Sequence, residues 1–314
     1  MYKIGIDLGG TGIRVGVVDA CGTLAASAST PTRAALGPEQ VLDDMAQCVM
    51  NGLNFSGIGP EECIGIGIGA PGNCDAETGT VRSAHNLGWE NVPVSEMLRR
   101  RLGLPVFLAN DADCAALGES IFGAARGCGS ALLITLGTGV GGGYILDGKI
   151  RSGRRSLGGE FGHMCVVENG EPCTCGQRGC WEAYASATAL IRQAKAAAAA
   201  DPASVLNAAE PDGRSVYAAA AAGDAAAKAV TARYAEYVGV GLVNLINVLF
   251  PETVLLGGGI SGAGDALLLP IRDYVRSHSF VREPSLLPEI RIAALGSDAG
   301  MYGAAALVND DCRR

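Results

Sequence analysis

Ile4-Gly5-Ile6-Asp7-Leu8-Gly9-Gly10-Thr11-Gly12-Ile13-Arg14-Val15-Gly16-Val17 is followed far downstream by Leu132-Leu133-Ile134-Thr135-Leu136-Gly137-Thr138-Gly139-Val140-Gly141-Gly142-Gly143-Tyr144-Ile145-Leu146-Asp147. Each stretch is an apolar β-rich run, a glycine-rich turn and a second β-rich run, the pattern of a hairpin with an unusually glycine-rich bend. Shifted by 128 positions, Ile6, Leu8, Gly9 and Asp19 fall on Ile134, Leu136, Gly137 and Asp147. The opening hairpin therefore occurs twice, and the chain reads as two similar lobes facing each other across a cleft.

Working outward, the first lobe is expected over residues 1–111, rejoined by a C-terminal helix at 298–314, and the second over 112–297. Val41, Leu42, Met45, Val49 and Leu53 recur at helical spacing, so a helix is expected over 38–53. Strands are expected at 63–69 and 105–109, with helices at 94–102 and from 111 onward. In the second lobe, alanine-rich helices cover 185–200 and 215–249, a buried strand covers 252–256 and a helix covers 264–277, while a last helix over 298–308 returns to the first lobe. Between 148 and 181 periodicity disappears; a loop of that length is functional, metal-bound or disordered.

Bulk properties exclude several classes. With 24 basic and 32 acidic residues the net charge is −8, and no long Lys/Arg block appears, which argues against a nucleic-acid partner. The longest apolar stretch, 238–250, is interrupted by Asn244 and Asn247 and falls short of the roughly 20 residues a bilayer span needs. No signal-peptide pattern opens the chain, and eleven cysteines, an odd number and mostly scattered, fit a reducing, cytoplasmic setting.

Phosphoryl transfer needs backbone N–H groups close to phosphate oxygens, and glycine permits that approach. Gly9-Gly10-Thr11-Gly12 and Gly137-Thr138-Gly139 each offer such amides plus a threonine hydroxyl, and Gly257-Gly258-Gly259 forms a third tight turn. Neither hairpin has the spacing of a P-loop or a dinucleotide fingerprint. Asp7, just before the first turn, would either hold Mg²⁺ or bond the turn amides. Asn110 and Asp111 end a strand, where open α/β sheets place ligands, and either can also cap the following helix. Asp111 would take a proton from a sugar hydroxyl. His163, Cys173, Cys175 and Cys180 supply four ligands within eighteen residues, a closed and therefore structural zinc set. Folding that loop would bring Glu160 and Glu182 to one place, as sugar ligands, as a glycosidase carboxylate pair, or as partners of Arg154, Arg155 or Arg178.

Asp7-Leu8-Gly9-Gly10-Thr11, Gly69-Ala70-Pro71-Gly72, Asn86-Leu87-Gly88-Trp89, Asn110-Asp111, Leu136 to Gly143, Gly158-Gly159-Glu160-Phe161-Gly162-His163 and Cys173-Thr174-Cys175-Gly176-Gln177-Arg178-Gly179-Cys180-Trp181-Glu182 occur here in one order. Together they resemble the ROK family of sugar kinases and sugar-responsive repressors, and most closely its glucokinases. The resemblance implies an α/β, actin-like (ribonuclease-H-like) duplicated fold with an interlobe cleft, acting as a homodimer or higher homo-oligomer. It implies ATP-dependent phosphorylation of a hexose at its primary hydroxyl, glucose first, with an N-acetylhexosamine (N-acetylmannosamine or N-acetylglucosamine) as the alternative and a non-enzymatic sugar sensor as the rival. Asp111 would be the base, and Gly72, Asn86, Asn110, Glu160, His163 and Glu182 would line the sugar. ATP with Mg²⁺ would meet Asp7 and the three glycine turns, and His163 would also bind structural Zn²⁺ within the loop 151–182. Family repressors carry a DNA-binding domain ahead of this pattern, for which no residues are expected before Asp7.

Overall fold

The computed structural model describes residues 1–308, which form two compact units: Met1–Ser130 with Gly143–Gly159 and the chain from Ala294 onward, and Ala131–Gly142 with Glu160–Ala293. The part of the C-terminal helix expected beyond residue 308 lies outside the described residues.

In the first unit, β1 (Tyr2–Leu8), β2 (Gly12–Asp19) and β3 (Leu24–Pro31) form an antiparallel meander. The helix α1 (Gly37–Ser56) follows, burying Val41, Leu42, Met45, Val49 and Leu53 and ending on Gly57, whose φ of 68° makes the left-handed cap. β4 (Cys63–Ala70) then pairs parallel with β1. A small antiparallel sheet of β5 (Asn73–Asp75), β6 (Thr80–Ala84) and β7 (Trp89–Val92) leads into α2 (Val94–Leu102). β8 (Val106–Asn110) closes the main sheet beside β4, and α3 (Asp111–Ile121) begins at its end.

The second sheet starts with β9 (Ser130–Leu136) and β10 (Val140–Leu146). The end of β10 pairs with β11 (Lys149–Ile150), Ile145 standing opposite Ile150. After the irregular loop come α4 (Glu182–Ala185), α5 (Ala187–Ala200), α6 (Gly213–Ala221) and α7 (Ala225–Leu249). The single helix expected over 215–249 is thus two: Gly223 takes a φ of 103° and the Asp224 carboxylate caps α7 by accepting from the Ala227 amide. β12 (Thr253–Gly257) pairs parallel with β9, α8 (Asp265–His278) follows, and β13 (Glu289–Ile292) pairs parallel with β12. The helix α9 (Ala299–Leu307) returns to the first unit.

The two five-stranded sheets have matching orders, β3-β2-β1-β4-β8 and β11-β10-β9-β12-β13. The 128-residue shift carries Tyr2 onto Ser130 and Leu8 onto Leu136, the bounds of β1 and β9. The repeat seen in the hairpins therefore extends to whole sheets. β3, β5, β6, β7, β11 and β13 had no counterpart in the sequence reading. β3 is Leu-Ala-Ala-Ser-Ala-Ser-Thr-Pro, half exposed along its length and without a branched aliphatic run, and β13 has only four residues.

Packing in the first unit rests on backbone contact. A Cβ on Gly67 would stand 1.7 Å from the Ala304 carbonyl oxygen, and one on Gly303 1.6 Å from the Cys114 carbonyl oxygen. The helix α9 thus lies against β4 and α3 at a separation no side chain fits. Gly67→Ala should lower stability by about 2–3 kcal/mol, since the clash is with main chain. Gly262→Ala, where a Cβ meets nothing within 4 Å, should stay within about 0.5 kcal/mol. Equal denaturant midpoints for the two variants would refute this packing.

Candidate functional site

Strand register gathers the first set of residues. Asp7 is level with Gly69, Gly69 with Ala109 and Ala70 with Asn110, so Asp7, Asn110 and Asp111 come to the carboxyl edge of one parallel triplet. Asn110 is the N-cap of α3: its Oδ1 accepts from the Ala112 and Asp113 amides at 2.8 and 3.3 Å. Its Nδ2 donates to the Gly72 carbonyl at 3.0 Å. Asn110 takes the cap and Asp111 follows as the first helical residue, its Oδ1 accepting from Ala112 N at 2.8 Å.

The first glycine turn closes with Gly9 N donating to Gly12 O at 2.9 Å, and the Thr32 hydroxyl donates to Gly9 O at 2.7 Å. Asn86 lies over it: its Nδ2 would be 3.2 Å from a Cβ on Gly10. Asp7 sits at the start of α9, its Cγ 3.0 Å from the Cβ position of Gly300. Burial pushes its carboxyl up from the usual range, Arg14 pulls it down, and Asp298 pushes it up again. Arg14 is itself held by Asp298 at 3.0 Å and by the Ser297 carbonyl at 2.8 Å. Arg14 faces Asp7 across the β1–β2 hairpin, whereas Asp298 and Gly300 were not legible beforehand, since they come from a segment nearly 300 residues away.

The second unit gathers the rest. Gly137 N donates to Gly139 O at 3.0 Å to close the second turn. The start of α5 braces it, with Ala187 N on Gly137 O at 2.7 Å and the Thr188 hydroxyl on Thr138 O at 2.8 Å. The Gly257-Gly258-Gly259 turn lies alongside, where a Cβ on Gly258 would be 2.5 Å from Leu136 O. Glu182 is drawn to the same turn: its Oε2 accepts from Val140 N at 3.0 Å and would be 2.2 Å from a Cβ on Gly139. Of the arginines named as surface partners for the two glutamates, Arg155 is committed elsewhere, at 2.6 Å from the fully buried Asp75, which Arg82 also holds at 2.6 Å. Those contacts keep the Asp75 carboxyl down at about 2, against a desolvation that would raise it. Glu160 is exposed and its carbonyl accepts from His163 N at 3.0 Å.

The four metal-ligand candidates converge, their ligand atoms all within 4.8 Å of one another. Cys175 Sγ and Cys180 Sγ are 3.7 Å apart, and Cys173 Sγ and His163 Nδ1 3.6 Å. A tetrahedron with Zn–S of about 2.3 Å and Zn–N of about 2.0–2.1 Å has edges of roughly 3.8 and 3.5 Å, so the donor set fits zinc in geometry and in chemistry. Burial, then the neighbouring sulfurs, push the Cys180 thiol up to about 12, a crowding of potential thiolates that a cation relieves. Cys173 Sγ also stands 3.7 Å from Glu182 Oε1, so the ligand loop touches the carboxylate that holds the glycine turn.

The loop has anchors of its own. Trp181 is fully buried, donates from its indole to Tyr237 O at 2.8 Å and fills the space over Gly241, while Tyr184 OH accepts from Glu171 N at 2.6 Å. No helix among the described residues is long and apolar enough to cross a membrane.

Two matched sheets with an antiparallel meander and two parallel strands each, bearing glycine turns and strand-end carboxylates, define an actin-like, ribonuclease-H-like α/β protein of the sugar-kinase type. The ROK family's sequence profile matches residues 3–311, and the chain belongs to that family. It is 39% identical to a glucokinase of Halalkalibacterium halodurans over 98% of this chain and 94% of that one. A solved ROK glucokinase from Streptomyces griseus, in complex with glucose and AMPPNP, is 37% identical with a TM-score of 0.83, covering 98% of this chain and 99% of that one. A ROK transcriptional regulator, a homologue of the E. coli MLC protein, superposes with a TM-score of 0.86 at 27% identity, over 98% of this chain and 77% of that one.

Cys175→Ser should strip the metal: zinc measured by mass spectrometry on the purified protein should fall from near one ion per chain, the stoichiometry of a closed four-ligand site, to trace. Cys21→Ser, at an exposed thiol in the first unit, should leave it unchanged. Equal zinc in both variants would overturn the ligand assignment.

Proposed function

We propose that this protein transfers the γ-phosphoryl group of ATP to the primary hydroxyl of a hexose, glucose being the preferred acceptor. The carrying observation is Asp111, delivered by β8 to the same sheet edge as Asp7 and fixed by an asparagine that caps its helix. The identity to glucokinases over nearly the full chain supports the reading.

In this reading Asp111 accepts the proton of the sugar hydroxyl as its oxygen attacks the γ-phosphorus, and ADP leaves. Asn86, Asn110 and the Gly72 main chain bind hydroxyls from the first unit's residues, and Glu160, His163 and Glu182 bind others. The Gly9–Gly12 and Gly137–Gly139 amides meet phosphate oxygens, where most of the charge of a loose transition state resides. Gly257–Gly259 lies toward the adenosine. Asp7 is the carboxylate suited to Mg²⁺, which supplies charge neutralisation on the phosphates. His163, Cys173, Cys175 and Cys180 would hold zinc, which would fix the loop that carries Glu182.

We assign the two lobes to the two compact units, with α3 counted with the first because it packs on α9. Action in the cytoplasm is supported by ten described cysteines that are all free thiols. A homodimer is the proposed assembly on family resemblance, to be read by light scattering.

Asp111→Asn should fold and bind sugar while kcat falls by roughly 10²–10⁴; a near-normal kcat refutes the base. A coupled ADP assay across glucose, mannose, fructose, N-acetylglucosamine and N-acetylmannosamine should give glucose the highest kcat/KM. Sugar binding without turnover of ATP on any of the five would favour a sensor, the reading that the regulator's superposition supports. Sugar release from a glycoside without ATP would favour a glycosidase.

A further inference from the structure

A fifth thiol stands beside the metal-ligand set. Cys165 forms an antiparallel bridge with Cys180, flanked by Trp181 N donating to Met164 O at 2.8 Å and Val166 N donating to Gly179 O at 2.8 Å. Those two bonds lie outside the pair, so Cys165 and Cys180 occupy a non-hydrogen-bonded position, where facing Cα atoms approach to about 4.5 Å and side chains leave the same face. That spacing is inside the roughly 4.4–6.8 Å window of a disulfide. The Cys165 sulfur already leans toward the strand opposite, 3.2 Å from where a Cβ on Gly179 would sit. Gly179 has a φ of 78°, and a Cβ there would be 1.8 Å from Val167 O, so this opening beside Cys180 is kept clear. Exposure divides the pair: Cys165 is exposed, whereas Cys180 is only 1% exposed.

We propose that Cys165 and Cys180 form a reversible disulfide under peroxide, making the metal loop a redox modification site. The exposed Cys165 sulfur attacks hydrogen peroxide, taking one oxygen to become a sulfenic acid while water leaves. The Cys180 sulfur then attacks the sulfenic sulfur, the S–O bond breaks, a second water leaves, and two thiols have been oxidised by one peroxide. Cys180 can no longer serve as a thiolate ligand, which leaves three ligands of four. Glu182 follows Cys180 by two residues and holds the Val140 amide, so the loop's hold on the second glycine turn loosens as the ligand goes. This consequence rests on the zinc and sugar-site reading above, but the disulfide itself does not.

The test uses the purified full chain, fully reduced, with zinc content measured first. It is titrated with hydrogen peroxide while a metallochromic dye follows zinc release and non-reducing peptide mapping locates disulfides. The parent protein should yield a Cys165–Cys180 linked peptide in step with zinc release and a rise in KM for glucose. Dithiothreitol with added zinc should restore all three. Cys165→Ser should retain starting zinc and activity and release zinc on the order of tenfold more slowly. Release from Cys165→Ser at the parent rate, or mapping that pairs Cys180 with Cys173 or Cys175 while Cys165 stays unlinked, would overturn the proposal. A protein that holds no zinc yet forms the Cys165–Cys180 link supports the disulfide and ends the metal reading, so the two fail separately.

Discussion

Parallel pairing in the first sheet is the constraint from which the rest of that unit follows. β1, β4 and β8 share a register in which Asp7, Gly69 and Ala109 are level, and a parallel triplet must discharge all three chain ends at one edge. Whatever polar residues end those strands become neighbours without further design. α9 can cover the sheet only by lying on its backbone, because Gly67 and Gly303 leave no room for a Cβ. That close approach puts the N-terminus of α9 under Asp7, where helix dipole and peptide N–H groups favour a carboxylate. Burial acts the other way and raises its pKa. An anion half-desolvated in this manner is well prepared for a divalent cation.

The second sheet repeats the topology with a different accessory. Where the first hairpin turn is tied by the Thr32 hydroxyl, the second is tied by Thr188, Ala187 and the Glu182 carboxylate. Glu182 is also the point at which the zinc-type loop and the glycine turn meet, one oxygen on the Val140 amide and the other near Cys173 and Thr174. Loop order thus has three sources. Trp181 and Tyr184 anchor it to α7 and to itself, and the convergent side chains of His163, Cys173, Cys175 and Cys180 gather its tip. Trp181, fully buried over Gly241, makes a core contact that the loss of periodicity over 148–181 did not announce.

Much of this was legible because the informative residues are local. Glycine turns, the Asn-Asp pair at a strand end and the His/Cys set announce themselves by composition and spacing, and the 128-residue repeat was visible wherever glycine forced the same turn. What escaped depended on contacts distant in sequence or on weak local signals. β3 and β13 are short or made of small residues, so no periodicity marks them. The break between α6 and α7 hinges on Gly223 and Asp224, whose alanine-rich surroundings suggest one helix. The Asp75 cluster needs a strand, a hairpin and a loop 80 residues later to coincide.

Cys165 shows why spacing alone misleads near a metal loop. In sequence it is one more scattered cysteine, two residues past His163 and outside the cluster that draws attention. Only the bridge between the two arms of the loop, with Pro172 opposite Arg178 and Cys165 opposite Cys180, turns it into the residue facing a ligand. Of the four candidate ligands only Cys180 has a bridge partner across the folded-back loop among the described residues, and most side chains in such a position would be chemically inert. A thiol in that position makes the same sulfur serve two exclusive bonds, one to a cation and one to carbon-bound sulfur, and the oxidant decides between them.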